Sequence, residues 1–284
     1  MVLMFIQMRP KQWTKNLLCF SALIFSFEKL AEYSLLKSLA GFVIFCFVSS
    51  CVYILNDFFD READRQHPTK RFRPMASGQL NPTLALCTGA MILLLSLLSS
   101  FVLDSYFGLV VLFYFVLNVA YSMKLKHMVI IDVMSVATGF VIRAVAGGLV
   151  IGVNLTPWFL LCTLLLSLFL AISKRRHEFI LAQSDDSKLR YVLQFYNKDL
   201  LDQMNGIVTT ATIMSYALFT FTSGHSLYLM TTIPLVLYGV FRYFYLMHVE
   251  GKGGSPDKLL FEDKHILITV LLYGLLVALI LKFE

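Results

Sequence analysis

Charge is scarce in this chain. Only 15% of its 284 residues are Asp, Glu, Lys or Arg, against about 25% in an ordinary soluble domain. No polar stretch is long enough to build a soluble domain, although the length alone would allow two. Neither a linker nor a low-complexity segment interrupts it. The five cysteines (Cys19, Cys46, Cys51, Cys87, Cys162) are odd in number, scattered through apolar runs and never spaced CxxC. That excludes a disulfide framework or a cysteine metal site and makes them small buried hydrophobes. Nothing at the N-terminus reads as a cleavable leader: Met1 to Met8 is too short for an apolar leader core and lacks a basic start, with Arg9 and Lys11 following it. The first membrane segment is therefore expected to serve as the insertion signal. What the chain has in abundance is apolar sequence, 58% of its residues, with a mean hydropathy of +0.73. It reads as an integral membrane protein, all-α, with residues 1–284 forming one domain.

A spanning helix needs about 20 predominantly apolar residues. Nine segments qualify: 15–33, 36–57, 82–102, 105–122, 129–150, 156–173, 204–223, 226–247 and 265–282. The basic residues test this map. Nineteen of the 24 Lys and Arg lie in the N-terminal tail and in the second, fourth, sixth and eighth loops, and the third, fifth and seventh loops carry none. Such alternation predicts a polytopic bundle with the N-terminus and the charged loops cytoplasmic. The net charge of +6 is largely this bias and calls for no nucleic acid.

The densest charge closes the second segment, in NDFFDREADRQHPTKRFRP, residues 56–74. Asp57, Asp60 and Asp64 are spaced i, i+3, i+7, which on a helix stacks them on one face, with Asn56 bordering it. Like charges at that spacing repel, and a divalent cation resolves the conflict. Mg²⁺ prefers oxygen ligands and is usually shared between one or two carboxylates and a substrate phosphate. Asn56, Asp57, Asp60 and Asp64 are thus candidate ligands for a Mg²⁺-diphosphate. The competing reading is a solvated helix end whose acids pair with Arg61 and Arg65. His67-Pro68 should end the helix. Lys70, Arg71 and Arg73 follow, available for phosphate oxygens that the metal leaves free; the plain alternative is positive-inside bias.

NDxxDxxxD closing the second of nine predicted helices, followed by RPxASG, resembles the UbiA superfamily of membrane prenyltransferases. RPKQWTKN (Arg9 to Asn16) and YSMKLKHMVIIDVMSVATGFVIRAVAGG (Tyr121 to Gly148) resemble its phosphoribosyltransferase branch, and the likeness covers nearly the whole chain. The resemblance implies a helical membrane transferase using Mg²⁺, phosphoribosyl diphosphate and a polyprenyl phosphate. It also implies phosphate contacts for Lys124 and Lys126 and a site-lining role for Tyr121, against the alternative of a belt tyrosine with snorkelling lysines. Arg9 and Lys15, bordering the first helix, could hold the lipid phosphate.

Aromatic prenyltransferases of the superfamily carry a second acidic motif, DxxxD, in the loop after the sixth helix. This chain has SKRRHEF there, Ser173 to Phe179. Lys174 and Glu178 are i, i+4 and share a face, which suits a monophosphate or sugar partner better than a second metal. The alternative is a simple helix-end ion pair. Asp132 and Arg143 fall on one face of the fifth segment, roughly 16 Å apart. Asp132 could join the polar site, and Arg143 could join it or balance a carbonyl network. Leu189, Val192, Leu193, Tyr196 and Leu200 repeat with helical periodicity, predicting an amphipathic interfacial helix. The function expected is phosphoribosyl transfer to a polyprenyl phosphate. Two rivals are prenyl transfer to an aromatic acceptor such as 4-hydroxybenzoate, and a transporter or lipid-handling protein with no catalysis.

Overall fold

In a computed structural model, residues 2–25, 33–66, 69–184, 191–224, 226–254 and 256–283 are described, and among them no strand occurs. Twelve α-helices run in chain order: α1 Val2–Gln7, α2 Ser21–Phe25, α3 Ser34–Phe59, α4 Arg61–Arg65, α5 Pro82–Leu103, α6 Ser105–Met123, α7 Ile131–Ile151, α8 Pro157–Ser184, α9 Lys198–Thr222, α10 Ile233–His248, α11 Pro256–Glu262 and α12 Lys264–Lys282.

Seven helical segments among the described residues are long and apolar enough to cross a membrane: α3, α5, α6, α7, α8, Leu227–His248 (a 3₁₀ turn running into α10) and α12. These match seven of the nine predicted spans. The predicted span 204–223 is a helix, α9, but six Thr and Ser residues dilute its apolar run. Three of the buried ones, Thr209, Thr212 and Thr220, donate their hydroxyls back to carbonyls of the same helix, at 2.7 Å each. This satisfies them without water. The predicted span 15–33 differs. Pro10–Phe20 is a 3₁₀ helix and α2 follows; residues 26–32 lie outside those described. Eleven residues is long for 3₁₀ geometry, and the run follows Arg9 in the left-handed region, φ 53°.

Several helix starts are set by local chemistry. Asn81 accepts from the Thr83 and Leu84 amides, with Pro82 in the first turn of α5. Asp104, Asn197 and Asp263 cap α6, α9 and α12 in the same way. The Asn197 cap also overturns the expected interfacial helix. Tyr191–Phe195 is a short 3₁₀ turn, and a new helix begins at Lys198. Val192, Leu193 and Tyr196 point into protein, not lipid. Leu189 lies outside the described residues. All five cysteines are free; Cys87, on a helix with a mostly outward surface, is exposed, contrary to the reading of all five as buried.

The chain divides into two compact units: residues 1–126 with 139–155, and residues 127–138 with 156–284. In the first, Phe45, Val48, Phe107, Val111, Ile142 and Ala146 form the core. A second cluster of Met8, Ile54, Met75, Leu80 and Ala85 packs the ends of α1, α3 and α5 together. In the second unit, Val133, Ile172, Leu193, Tyr196 and Leu201 form one cluster and Phe169, Tyr243, Leu246 and Met247 another.

Gly147 on α7 lets the 3₁₀ segment approach closely: a Cβ there would lie 2.1 Å from the Cys19 carbonyl oxygen. Gly147→Ala is expected to destabilise the protein by about 1–3 kcal/mol through overpacking, read as a lower melting temperature in detergent. An unchanged melt would show that the 3₁₀ segment yields freely.

Candidate active site

The acidic motif is built where α3 ends. Its last turn carries Asn56 and Asp57, and Asp60 caps it with its amide on the Asn56 carbonyl (2.9 Å). The chain resumes as α4, carrying Asp64. The motif therefore follows a nearly continuous helical path with a one-residue interruption at Asp60. Asp57 and Asp64 are 2% and 4% exposed, whereas the Asp60 side chain is 32% exposed.

The three aspartates do not face one point. Arg73 Nη1 donates to Asp57 Oδ1 (2.9 Å) and to Asp64 Oδ2 (2.5 Å), so two carboxylates converge on one nitrogen. Arg9 donates to the same Asp57 oxygen and stacks 5.0 Å over the Tyr53 ring. Asp60 turns elsewhere, accepting from Lys126 Nζ (2.5 Å) and from Asn56 Nδ2 (3.1 Å). Each carboxylate in this low-dielectric setting is met by a basic group, which offsets the repulsion that their spacing creates. Pro74 keeps Arg73 out of helical backbone, and Arg73 is extended, φ −64° and ψ 142°. Among the described residues no three acids, histidines or cysteines gather as one metal cluster.

The expected pairing of acids with Arg61 and Arg65 does occur, but through Glu62. It accepts from both arginines on the exposed side of α4, and the Arg61 bond holds its carboxyl below the usual range. The aspartates are left to Arg9, Arg73 and Lys126.

Gln7 was not foreseen. Its Nε2 donates to Asp57 Oδ2 (2.6 Å) and its Oε1 accepts the Met75 amide (3.3 Å), with the side chain 1% exposed. One amide thus ties α1, α3 and the 73–78 turn together. The available signal was a lone amide in an apolar run. Lys70 and Arg71 are exposed, with Arg71 stacked on Phe72 at 4.8 Å. Lys124 is the exposed cap of α6, and Lys15 and Tyr121 are half-buried. Among the described residues Arg143 meets no carboxylate. It donates to Asn16 Oδ1 (2.8 Å), the Gly139 carbonyl (2.8 Å) and Tyr114 OH (2.6 Å) and stacks on Tyr114 and Phe140. Of the two roles open to it, this is the neutral network.

The second unit holds its own polar cluster. SKRRHEF lies inside α8, not in a loop, because that helix runs on to Ser184. Asp132, in the first turn of α7 and fully buried, accepts from Arg175 Nε (2.7 Å) and Tyr196 OH (3.0 Å). Arg175 Nη1 also donates to Glu178 Oε2 (2.7 Å). Asp132 therefore shares Arg175 with Glu178. Tyr196 OH accepts the Ile130 amide (2.7 Å), and burial, reinforced by the Asp132 charge, pushes its phenol up to about 12. Arg175 and Tyr196 were missed. Arg175 is i−3 from Glu178, as good a spacing as Lys174 at i−4, and it is the one that is buried against Asp132. Lys174 is exposed.

The two left-handed non-glycine residues in the described chain are Arg9 and Ile130. Each adjoins one of the two clusters, and for a β-branched residue such as Ile130 that conformation is an outlier. Strain of this kind persists where the surroundings over-determine it and concentrates at functional sites.

Tyr196→Phe leaves the Ile130 amide and an Asp132 oxygen without their partner. It is expected to cost about 1–3 kcal/mol, measured by thermal unfolding in detergent; no loss would remove the tyrosine from the cluster's support.

Residues 17–261 match the UbiA prenyltransferase family. The chain is 37% identical over 272 residues to decaprenyl-phosphate phosphoribosyltransferase of Corynebacterium glutamicum, covering 90% of this chain and 80% of that one. It is 34% identical to the protein of the same name from Mycolicibacterium smegmatis, covering 90% and 85%. The fold resembles a solved UbiA homolog from Archaeoglobus fulgidus bound to GPP and Mg²⁺, with TM-score 0.74 and 20% identity over 97% of this chain and 99% of that one. The same homolog bound to DMAPP and Mg²⁺ gives TM-score 0.72 at 19% identity, over 96% and 98%. The chain is a multi-pass membrane protein and belongs to the UbiA prenyltransferase family.

Proposed function

We propose that the chain transfers the 5-phosphoribosyl group of phosphoribosyl diphosphate to a polyprenyl phosphate, releasing diphosphate. The observation that carries this reading is the convergence of Asp57 and Asp64 oxygens on the single cationic nitrogen of Arg73, with Arg9 and Lys126 beside them. Relatives named for phosphoribosyl transfer to decaprenyl phosphate support it, as does the basic SKRRHEF where aromatic prenyltransferases carry a second acidic motif.

The donor set suits Mg²⁺. Two carboxylate oxygens already share one positive charge, and an oxygen-only set is what this hard cation takes. Asn56, Asp57, Asp60 and Asp64 would hold the metal, which when bound neutralises charge on the leaving diphosphate. Arg9, Arg73 and Lys126, with Lys70 and Arg71 in the neighbouring turn, supply cations for phosphate oxygens. Lys15 and Lys124 are proposed for the lipid phosphate and Tyr121 for the wall of the site. In the second unit, Lys174 and Glu178 are proposed contacts of a phosphorylated sugar, with Glu178 oriented by Arg175.

The chemistry asks for no strong base. An ionised acceptor phosphate attacks C1 of the ribose, the C1–oxygen bond to diphosphate breaks, and its electron pair leaves with the diphosphate. Carboxylates near C1 favour the positive charge that develops on the sugar. The acceptor enters from the bilayer between helices, in a bacterial plasma membrane with the N-terminus and site cytoplasmic, as the distribution of basic residues predicts.

Purified protein with Mg²⁺ and labelled phosphoribosyl diphosphate is expected to move label into lipid when given polyprenyl phosphate. No ring prenylation is expected from polyprenyl diphosphate and 4-hydroxybenzoate. The reverse outcome would reassign the acidic motif to a lipid diphosphate. Asp60→Asn and Asp64→Asn are each expected to lower turnover by roughly 10²-fold or more while the protein still inserts. Activity retained in both would remove the metal-site role.

A further inference from the structure

The aspartates are already neutralised by the chain itself, and this has a consequence for how a metal reaches them. Asp57, Asp60 and Asp64 carry three negative charges; Arg9, Arg73 and Lys126 return three positive ones. Asp57 cannot simply rotate away, because Gln7 holds its second oxygen. A bare divalent cation entering here would compete with guanidinium groups for buried carboxylates. It would also leave two or three displaced cations beside it with no counter-charge, which a low-dielectric site strongly disfavours.

We infer that Arg73, assisted by Arg9 and Lys126, closes these aspartates to a free divalent cation and opens them to one that arrives with its diphosphate. The inference rests on the metal–diphosphate reading above and adds the form in which the site takes it. A diphosphate brings the acceptors that the displaced cations need. Carboxylates pass from arginine and lysine to metal while arginine and lysine pass to phosphate, so no charge is stranded. The arginine fork is suited to that exchange, since it meets phosphate oxygens as well as it meets carboxylate. Arg73 and Arg9 are also placed for it: their side chains are about a quarter exposed, at 25% and 24%, against 2% for Asp57. They can turn outward while the buried carboxylates stay. After transfer the exchange runs backward, and the return of Arg73 to Asp57 and Asp64 helps release the metal with its diphosphate. Arg73 is thus a specificity-determining residue, selecting the metal–diphosphate complex over the free metal.

The test uses the full-length protein in detergent, with Mn²⁺ as the spectroscopic substitute and bound metal read by electron paramagnetic resonance, with and without inorganic diphosphate. Wild-type protein is expected to bind Mn²⁺ with diphosphate about tenfold or more tightly than Mn²⁺ alone, within the usual range for coupled ligands. Arg73→Gln is expected to tighten binding of Mn²⁺ alone by a similar factor and to shrink the diphosphate effect. If Arg73→Gln does not fold, Lys126→Met gives the same reading at Asp60. Wild-type binding of Mn²⁺ alone as tight as with diphosphate would overturn the exchange and leave the metal site standing. So would an Arg73 or Lys126 variant that folds without tightening binding of the free ion. No binding of Mn²⁺ with or without diphosphate would overturn the metal site itself.

Discussion

Arg73 sets one guanidinium nitrogen between the carboxylates of Asp57 and Asp64, and the polar end of the first unit is arranged around that contact. Two buried acids seven residues apart could not share this helix end without a positive charge between them. The backbone serves the same contact: the break at Asp60 divides α3 from α4, Pro74 keeps Arg73 extended, and Gln7 holds the far oxygen of Asp57. Arg9 reaches the same oxygen from a left-handed residue between α1 and the 3₁₀ segment. Three separate stretches of chain therefore meet at one carboxylate.

The second unit repeats the principle with different residues. A fully buried acid, Asp132, is matched by a buried base, Arg175, and the remaining capacity of each is used. Tyr196 fills the acid's other oxygen and Glu178 a further guanidinium nitrogen. Removing one member of such a set typically costs several kcal/mol, because an unpaired charge remains buried. Arg143, in the first unit, shows another solution. Lacking a carboxylate, it is satisfied by an amide, a carbonyl and a phenol and is flanked by aromatic rings.

These clusters also show where reading the sequence alone stopped. The i, i+3, i+7 spacing correctly marked Asp57, Asp60 and Asp64 as an unusual charge concentration. It did not foretell that Asp60 would turn to Lys126 while the other two share Arg73, because helical spacing says nothing of partners 9 to 66 residues away. Gln7 was invisible for the same reason. Lys174 was read as the neighbour of Glu178, whereas Arg175, at equally good helical spacing, is the cation that Asp132 draws inward. The helix expected across Leu189 to Leu200 failed locally: Asn197 offers its side chain to the Leu200 amide, and a new helix starts there.

The membrane character, seven of the spanning helices, the acidic motif and the family resemblance were all legible in the sequence, because each depends on local composition and spacing. Hydrophobic runs of sufficient length have few alternatives to helices in a bilayer, where every backbone group must be satisfied within its own segment. Which acid meets which base, which residues take on left-handed strain, and which of two neighbouring cations turns inward were decided only by tertiary structure. Those choices depend on what burial brings together from distant parts of the chain, and a buried charge accepts only the partner that the fold delivers to it.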